Sequence, residues 1–265
     1  MNTWPAEFSD LLTDEARALL DAPAPLEQFR MDNGETPYVN LREVMKPDAR
    51  AGGLALLESR WPIMQGHREE NPLRPADQCA PELDYASCPY NSRLYHMFCP
   101  IASDDGDDDF RRFFAESGLL AMCRSDSMRR FAEAITGYRL HQNQRSGVLV
   151  ICYGANDYLS LHNDVKWPMQ AGWVDSAEPI AYVDLHLSFA TDATEQQYLV
   201  IQQGAFCNRI MGGKPVNGTV SVYRLPFWHY ATPLIARPGQ EDACRRWIVM
   251  ANYEIVGDNR PKILG

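Results

Sequence analysis

Near residue 145 the sequence changes period, and that change limits the folds open to it. The runs SGVLVICY (146–153), IAYVDLHLSF (180–189), QYLVIQQ (197–203), GTVSVYRL (218–225) and RRWIVMANYEIV (245–256) are short and rich in Val, Ile, Tyr and Leu. The turn-forming stretches GAND, SAEP, MGGKPVNG and RPGQEDA separate them. β-Branched and aromatic residues at a period near two, cut by Gly and Pro, are the pattern of strands. No helical period of ten or more residues interrupts the series. The expectation is therefore an antiparallel sandwich or barrel.

Before residue 140 the chain reads as helices punctuated by proline. TDEARALLDAP has Thr13 as N-cap and stops before Pro23, and GGLALLESRW ends at Pro62. DDFRRFFAESG opens on acidic residues and closes on Gly118. SDSMRRFAEAITG repeats that logic, with Ser125 or Ser127 as cap and Gly137 as stop. Together these predict one α+β domain over 1–265. A mainly helical part, 1–140, packs on the outside of a β core, 141–258.

Charge and cysteine usage narrow the partners. With 35 acidic against 25 basic residues the net charge is -10. Such a surface offers no footing for nucleic acid or anionic membranes, which are bound through clustered Lys and Arg. The start, MNTWPAEFSDLL, lacks the basic and apolar regions of a signal peptide. No apolar stretch approaches the roughly 20 residues needed to cross a bilayer. Seven cysteines without a CxxC pair read as reduced thiols, so the expected location is cytoplasmic. Cys88, His96 and Cys99 do not meet zinc-ribbon spacings. The acidic run DDGDDD (104–109) lacks the ligand spacing of a calcium loop and reads as a solvated turn.

The chemistry-bearing stretch is DYLSLHNDVKWP (157–168). In a strand, residues i and i+2 share a face, so His162 and Asp164 would project together. His229, in VSVYRLPFWHYATPL, is the natural third partner. Two imidazoles and one carboxylate on one side of an ion leave positions open for substrates, which suits non-haem Fe(II). An anionic cosubstrate would need a counter-charge, and Arg245 and Arg246 open the last run. Arginine's planar fork matches a carboxylate. The segment IARPGQEDAC (235–244) would then be a hairpin joining the His229 strand to the arginine strand. Arg246 shares a face with Ile248 and Met250, and Arg245 with Trp247 and Val249. The first set suits a closed interior and favours Arg246, with Arg245 the alternative.

Taken in order, YGANDYLSLHND, WHYATPL and RRWIV resemble the 2-oxoglutarate/Fe(II)-dependent dioxygenases, particularly their prolyl-hydroxylase-like branch. The resemblance covers roughly residues 125–256. It implies a double-stranded β-helix, the jelly-roll core, with Fe(II) bound by His162, Asp164 and His229. It implies Arg246 as the partner of the 2-oxoglutarate C5 carboxylate, Tyr153 lining the cosubstrate pocket, and His186 near 2-oxoglutarate. Halogenating relatives replace the carboxylate with a small residue, so the retained Asp164 points to hydroxylation or a related oxidation. Dioxygen and a small-molecule, amino-acid or peptide-type substrate are the implied partners. A cupin-like metal dioxygenase without 2-oxoglutarate and a non-enzymatic jelly-roll module are the alternatives. The reversed pair Asp184 and His186, in VDLHL, has no downstream histidine left to join it and is expected to line the pocket. Trp167 and Trp173 belong either to a lid or to the barrel edge.

Overall fold

A computed structural model describes residues 3–21, 37–71, 92–100, 111–142, 147–164, 180–203 and 207–257. The acidic run 104–109, Cys88, Trp167 and Trp173 lie outside the described residues.

The strands are β1 (Tyr38–Leu41), β2 (Arg68–Asn71), β3 (Ser92–Pro100), β4 (Leu140–His141), β5 (Gly147–Gly154), β6 (Tyr158–His162) and β7 (Tyr182–Ala190). They continue with β8 (Thr194–Gln203), β9 (Cys207–Gly213), β10 (Thr219–Leu225), β11 (His229–Ala231), β12 (Ile235–Ala236) and β13 (Arg245–Ile255). The spatial order is β1-β10-β7-β13-β5-β3-β6-β11-β8-β12, with β2 on β3, β4 on β13 and β9 on β8. All these pairings are antiparallel. β3 pairs with β5 through Tyr95–Pro100 and with β6 through Ser92 and Arg93, so it forms the corner where the sheet curls back. The result is the jelly-roll double-stranded β-helix. The sheet also takes β1, β2 and β3 from the N-terminal half, which the helical pattern there did not suggest. β1 pairs with β10 about 180 residues away and β3 with β5 about 50 residues away, beyond the reach of any local pattern, and β2 joins the sheet only through β3.

The helices are α1 (Asp14–Ala18), α2 (Pro47–Ser59), α3 (Trp61–Met64), α4 (Leu119–Cys123) and α5 (Asp126–Thr136). Thr13 caps α1 by accepting from the Ala16 N–H, and Ser125 caps α5 by accepting from the Met128 N–H. Gly137 ends α5 at φ 72°, a left-handed position that favours glycine. The segment DDFRRFFAESG departs from an α-helix: Arg111–Ala115 forms a π-helical turn, and Gly118 sits at φ 78° ahead of α4.

One face of the large sheet packs on these helices. Val183, Leu185, Leu187 and Phe189 of β7 and Trp247, Val249, Ala251 and Tyr253 of β13 join Phe8, Leu57, Met128 and Phe131 in a single core. The opposite phase of β7, Tyr182, Asp184, His186 and Ser188, is buried as well. Its polar residues face an internal cavity, which is why the alternation of VDLHLSF does not mark a solvent face.

Gly53 of α2 lies against that core. A Cβ there would come within 2.7 Å of the Phe189 ring and 2.8 Å of the Trp4 ring. Gly53→Ala would gain up to about 1 kcal/mol of helix propensity. Overpacking two fully enclosed rings costs about 1–3 kcal/mol, and the second effect wins. The expected outcome is a net loss of stability, read as a lower denaturation midpoint with an unchanged m-value.

Candidate metal centre

β6 is positioned by the turn before it. Asp157, only 1% exposed, accepts from the Gly154 N–H at 2.7 Å and from both Arg68 guanidinium NH groups at 2.7 and 2.8 Å. That clamp sets where the strand starts and where His162, its last residue, ends up. His162 and His229 are direct cross-strand partners of β6 and β11, so their side chains leave the sheet on the same side. Their ring centroids are 4.2 Å apart.

Asp164 arrives by a different route from the one expected. β6 ends at His162, and Asp164 takes φ 56°, a left-handed conformation uncommon for a non-glycine residue. The strand rule of i and i+2 therefore does not place the carboxylate; the backbone turn after the strand does. Tyr182 supports that turn by donating its hydroxyl to the Asp164 carbonyl at 3.3 Å. The Asp164 Oδ2 lies 3.4 Å from His162 Nε2 and 3.6 Å from His229 Nε2. Potential ligand atoms of the three residues all lie within 4.8 Å of one another.

Both imidazoles are oriented from behind. His162 Nδ1 lies 2.6 Å from the Ser160 carbonyl and His229 Nδ1 lies 2.9 Å from the Phe227 carbonyl. A carbonyl only accepts, so each Nδ1 carries the proton and each Nε2 presents a lone pair towards Asp164. This backing is what holds histidine ligands in metal sites. The chemistry of the donor set, two neutral Nε2 atoms and one carboxylate, fits a divalent first-row metal.

The electrostatics match. Burial, with His162 next to it, drives His229 down to about 3 and overrides Asp164, so His229 is neutral. Burial alone would raise Asp164, but His162 leads the groups that bring it down to about 2. Burial also opposes charge on His162, yet the adjacent Asp164 carboxylate outweighs it and raises the pKa of that ring. A proton and a metal compete for the same Nε2. Metal affinity is thus expected to fall as pH drops through the raised His162 value and to be full above it. A competition titration from alkaline to mildly acidic pH checks the sign.

The triad lies on one wall of a cavity of about 110 Å³ between the two halves of the curled sheet. Arg246 lines the same cavity from β13, together with Ile248 and Met250. It does not arrive by a hairpin from β11. β13 sits between β7 and β5, while β11 sits between β6 and β8, so the arginine faces the triad across the barrel. Its Nε donates to Ser188 Oγ at 3.1 Å and an NH to Gln197 Oε1 at 2.7 Å. Among the described residues no carboxylate pairs with it. Arg245 projects to the other side. It makes a multiple ion pair with Glu58, as close as 2.6 Å, and stacks over Trp61. Tyr153, the cross-strand partner of Arg246, and His186 also line the cavity.

No family model matches the sequence, and no curated protein does. Several solved structures are similar to the chain in fold. A Pseudomonas putida prolyl-4-hydroxylase is 11% identical at TM-score 0.46, over 91% of this chain and 100% of its own. A 2OG-Fe(II) oxygenase family oxidoreductase from Burkholderia pseudomallei is 12% identical at TM-score 0.48, over 86% and 90%. The carbocyclase SnoK from nogalamycin biosynthesis is 10% identical at TM-score 0.46, over 93% and 85%. At such identities the shared feature is the fold, and what this site can do rests on its own geometry.

Beyond the residues singled out in the sequence, the structure brings in Ser188 and Gln197 beside Arg246 and Tyr182 behind Asp164. Ser188 was detectable as the polar phase of β7. Gln197 was not, because its strand reaches Arg246 from a part of the sheet 49 residues away along the chain. Among the described residues, no helix is long and apolar enough to cross a membrane.

Proposed function

We propose that the protein is an Fe(II)- and 2-oxoglutarate-dependent oxygenase of the hydroxylating type. The observation that supports this is one cavity holding two back-braced imidazoles and a carboxylate on one wall and, on the other, an arginine with no carboxylate partner among the described residues. In this reading His162 Nε2, His229 Nε2 and an Asp164 oxygen hold Fe(II). When bound, the metal with 2-oxoglutarate and dioxygen supplies the oxidising power to replace an unactivated C–H bond with C–OH, releasing succinate and CO₂.

The chain supplies binding, orientation and a dry site. The Ser160 and Phe227 carbonyls hold the two rings in one tautomer. Arg246 would receive the distal carboxylate of the cosubstrate with its remaining N–H donors. Ser188 and Gln197 hold the guanidinium in place without neutralising it, and Tyr153 lies beside it in register. Leu149, Ile151, Leu159, Leu199 and Ile248 give the rest of the wall an apolar lining that excludes water. The carboxylate of Asp164 occupies the position that a halide would need, which favours hydroxylation over halogenation.

The test is an anaerobic titration of the protein with Fe(II) and 2-oxoglutarate. A weak visible metal-to-ligand charge-transfer band, followed in air by succinate release, supports the proposal. Absence of the band under saturating metal rejects it.

A further inference from the structure

The cavity contains a second carboxylate that the proposed oxygenase chemistry does not use. Asp184 is 4% exposed, lines the cavity, and accepts from Asn252 Nδ2 at 2.5 Å. Its Oδ2 lies 3.8 Å from His186 Nε2, too far for a hydrogen bond. Neither His186 Nε2 nor Asn252 Oδ1 has a hydrogen-bond partner among the described residues, although both atoms are buried. Orphaned buried polar atoms of this kind call for an explanation. The Tyr223 ring packs 4.1 Å from the His186 ring and also lines the cavity.

The position of this cluster says what it is not. Asp184 is in register with Asn252 on one side and Tyr223 on the other. Arg246 is six residues before Asn252 on β13, about 20 Å of extended strand. A five-carbon diacid anchored on Arg246 and reaching the triad leaves the Asp184 end of the cavity free. That end is where a substrate would lie. The charges are unequal too: the lining has two carboxylates, Asp164 and Asp184, and one cation, Arg246, at the far end. Burial pushes the Asp184 carboxyl up, and His186 and Asn252 only partly offset this. A buried carboxylate with no arginine or lysine against it among the described residues, and with the nearest imidazole nitrogen 3.8 Å away, is a costly arrangement in a structural role.

We infer that Asp184, with His186 and Tyr223, forms the recognition subsite for a substrate carrying a protonated amine. An ammonium group has several N–H donors. One would meet Asp184 Oδ2 and another the unpartnered His186 Nε2, with the Tyr223 ring lining the same end of the cavity. The cation would sit at the end of the cavity opposite Arg246, with its neighbouring carbons turned towards the triad. This assignment deepens the oxygenase reading and takes from it the direction in which the cosubstrate points.

The test uses two ring compounds of the same size, piperidine, which is protonated at neutral pH, and cyclohexanol, which is neutral. Each is titrated calorimetrically into the full-length protein, metal-free and, anaerobically, with Fe(II) and 2-oxoglutarate. The expected result is a preference for piperidinium of about tenfold or more in Kd, the scale of a buried charge pair. Asp184→Asn, which preserves shape and can still face Asn252, is expected to erase the preference. Equal binding of the two compounds, no binding of either, or a preference unchanged in Asp184→Asn would overturn the inference and leave Asp184–Asn252 as an internal brace. The wild-type comparison decides the matter even if the variant does not fold. The metal-free titration separates the two proposals. A missing charge-transfer band would remove the oxygenase reading, whereas a missing cation preference would remove only the subsite.

Discussion

His229→Ala is expected to abolish the charge-transfer band that the wild-type protein gives with Fe(II) and 2-oxoglutarate, and succinate release with it. His229 is one of three candidate ligands, and no other histidine ring nitrogen or carboxylate among the described residues joins the group. Loss of a residue that merely braces a metal ligand already costs about 10–100-fold in metal affinity. Loss of the ligand itself should exceed that, so metal binding measured by competition should weaken by more than about 100-fold. The ring also packs 4.2 Å from His162 and 4.7 Å from Phe227, so its removal opens a small void. Circular dichroism on the metal-free variant separates the two effects. An intact spectrum with no metal binding supports the ligand role. Metal binding at wild-type strength would rule it out.

Arg246→Ala should raise the Kd for 2-oxoglutarate and leave metal binding in place. Removing one partner of an enclosed charge pair costs about 2–5 kcal/mol, roughly 30-fold or more in Kd. The variant should remain folded, because the partners of Arg246 in the protein are neutral: the Ser188 hydroxyl and the Gln197 amide. No orphaned charge is left behind. Arg245→Ala is the contrast. It strands Glu58, which holds that guanidinium through several contacts and also accepts from Trp247 Nε1 at 2.6 Å. Arg245→Ala is therefore expected to lower stability while sparing 2-oxoglutarate affinity. If Arg246→Ala bound 2-oxoglutarate as the wild type does, the cupin-like alternative would become the better account.

The residues that meet at the centre were legible in the sequence, but the reasons offered for their meeting were only partly right. His162 and His229 face one another because β6 and β11 are register partners, and no local period announces which strands pair. Asp164 was placed by a strand rule, yet it stands beyond the strand end in a left-handed turn that Tyr182 holds from another strand. Arg246 was selected over Arg245 by the company it keeps, Ile248 and Met250, and that inference needed only the alternation of β13. The path by which it approaches the triad, across the barrel and not through a hairpin, depended on strand order. The N-terminal half shows the same division. Thr13, Ser125 and Gly137 announced helix ends because caps are local chemistry. β1 and β3 stayed hidden because their pairing partners are distant in sequence.

What the sequence determined by itself was the alphabet and its local phase: strands after residue 145, helices with their caps, and the face that each candidate side chain takes on its own strand. Period and capping act within a few residues, so one chain is enough to read them. The tertiary structure decided which faces became interior. β7 shows this most clearly. Its polar phase, Asp184, His186 and Ser188, has the alternation of a strand with one wet side, yet both faces are buried. Only closure of the sheet turned that side inward, and closure rests on hydrogen-bond registers between strands far apart in the chain. A buried carboxylate facing a cavity is a product of that closure: the sequence reading named Asp184 as a pocket-lining residue, but the alternation of its strand by itself does not tell an inner face from a wet one.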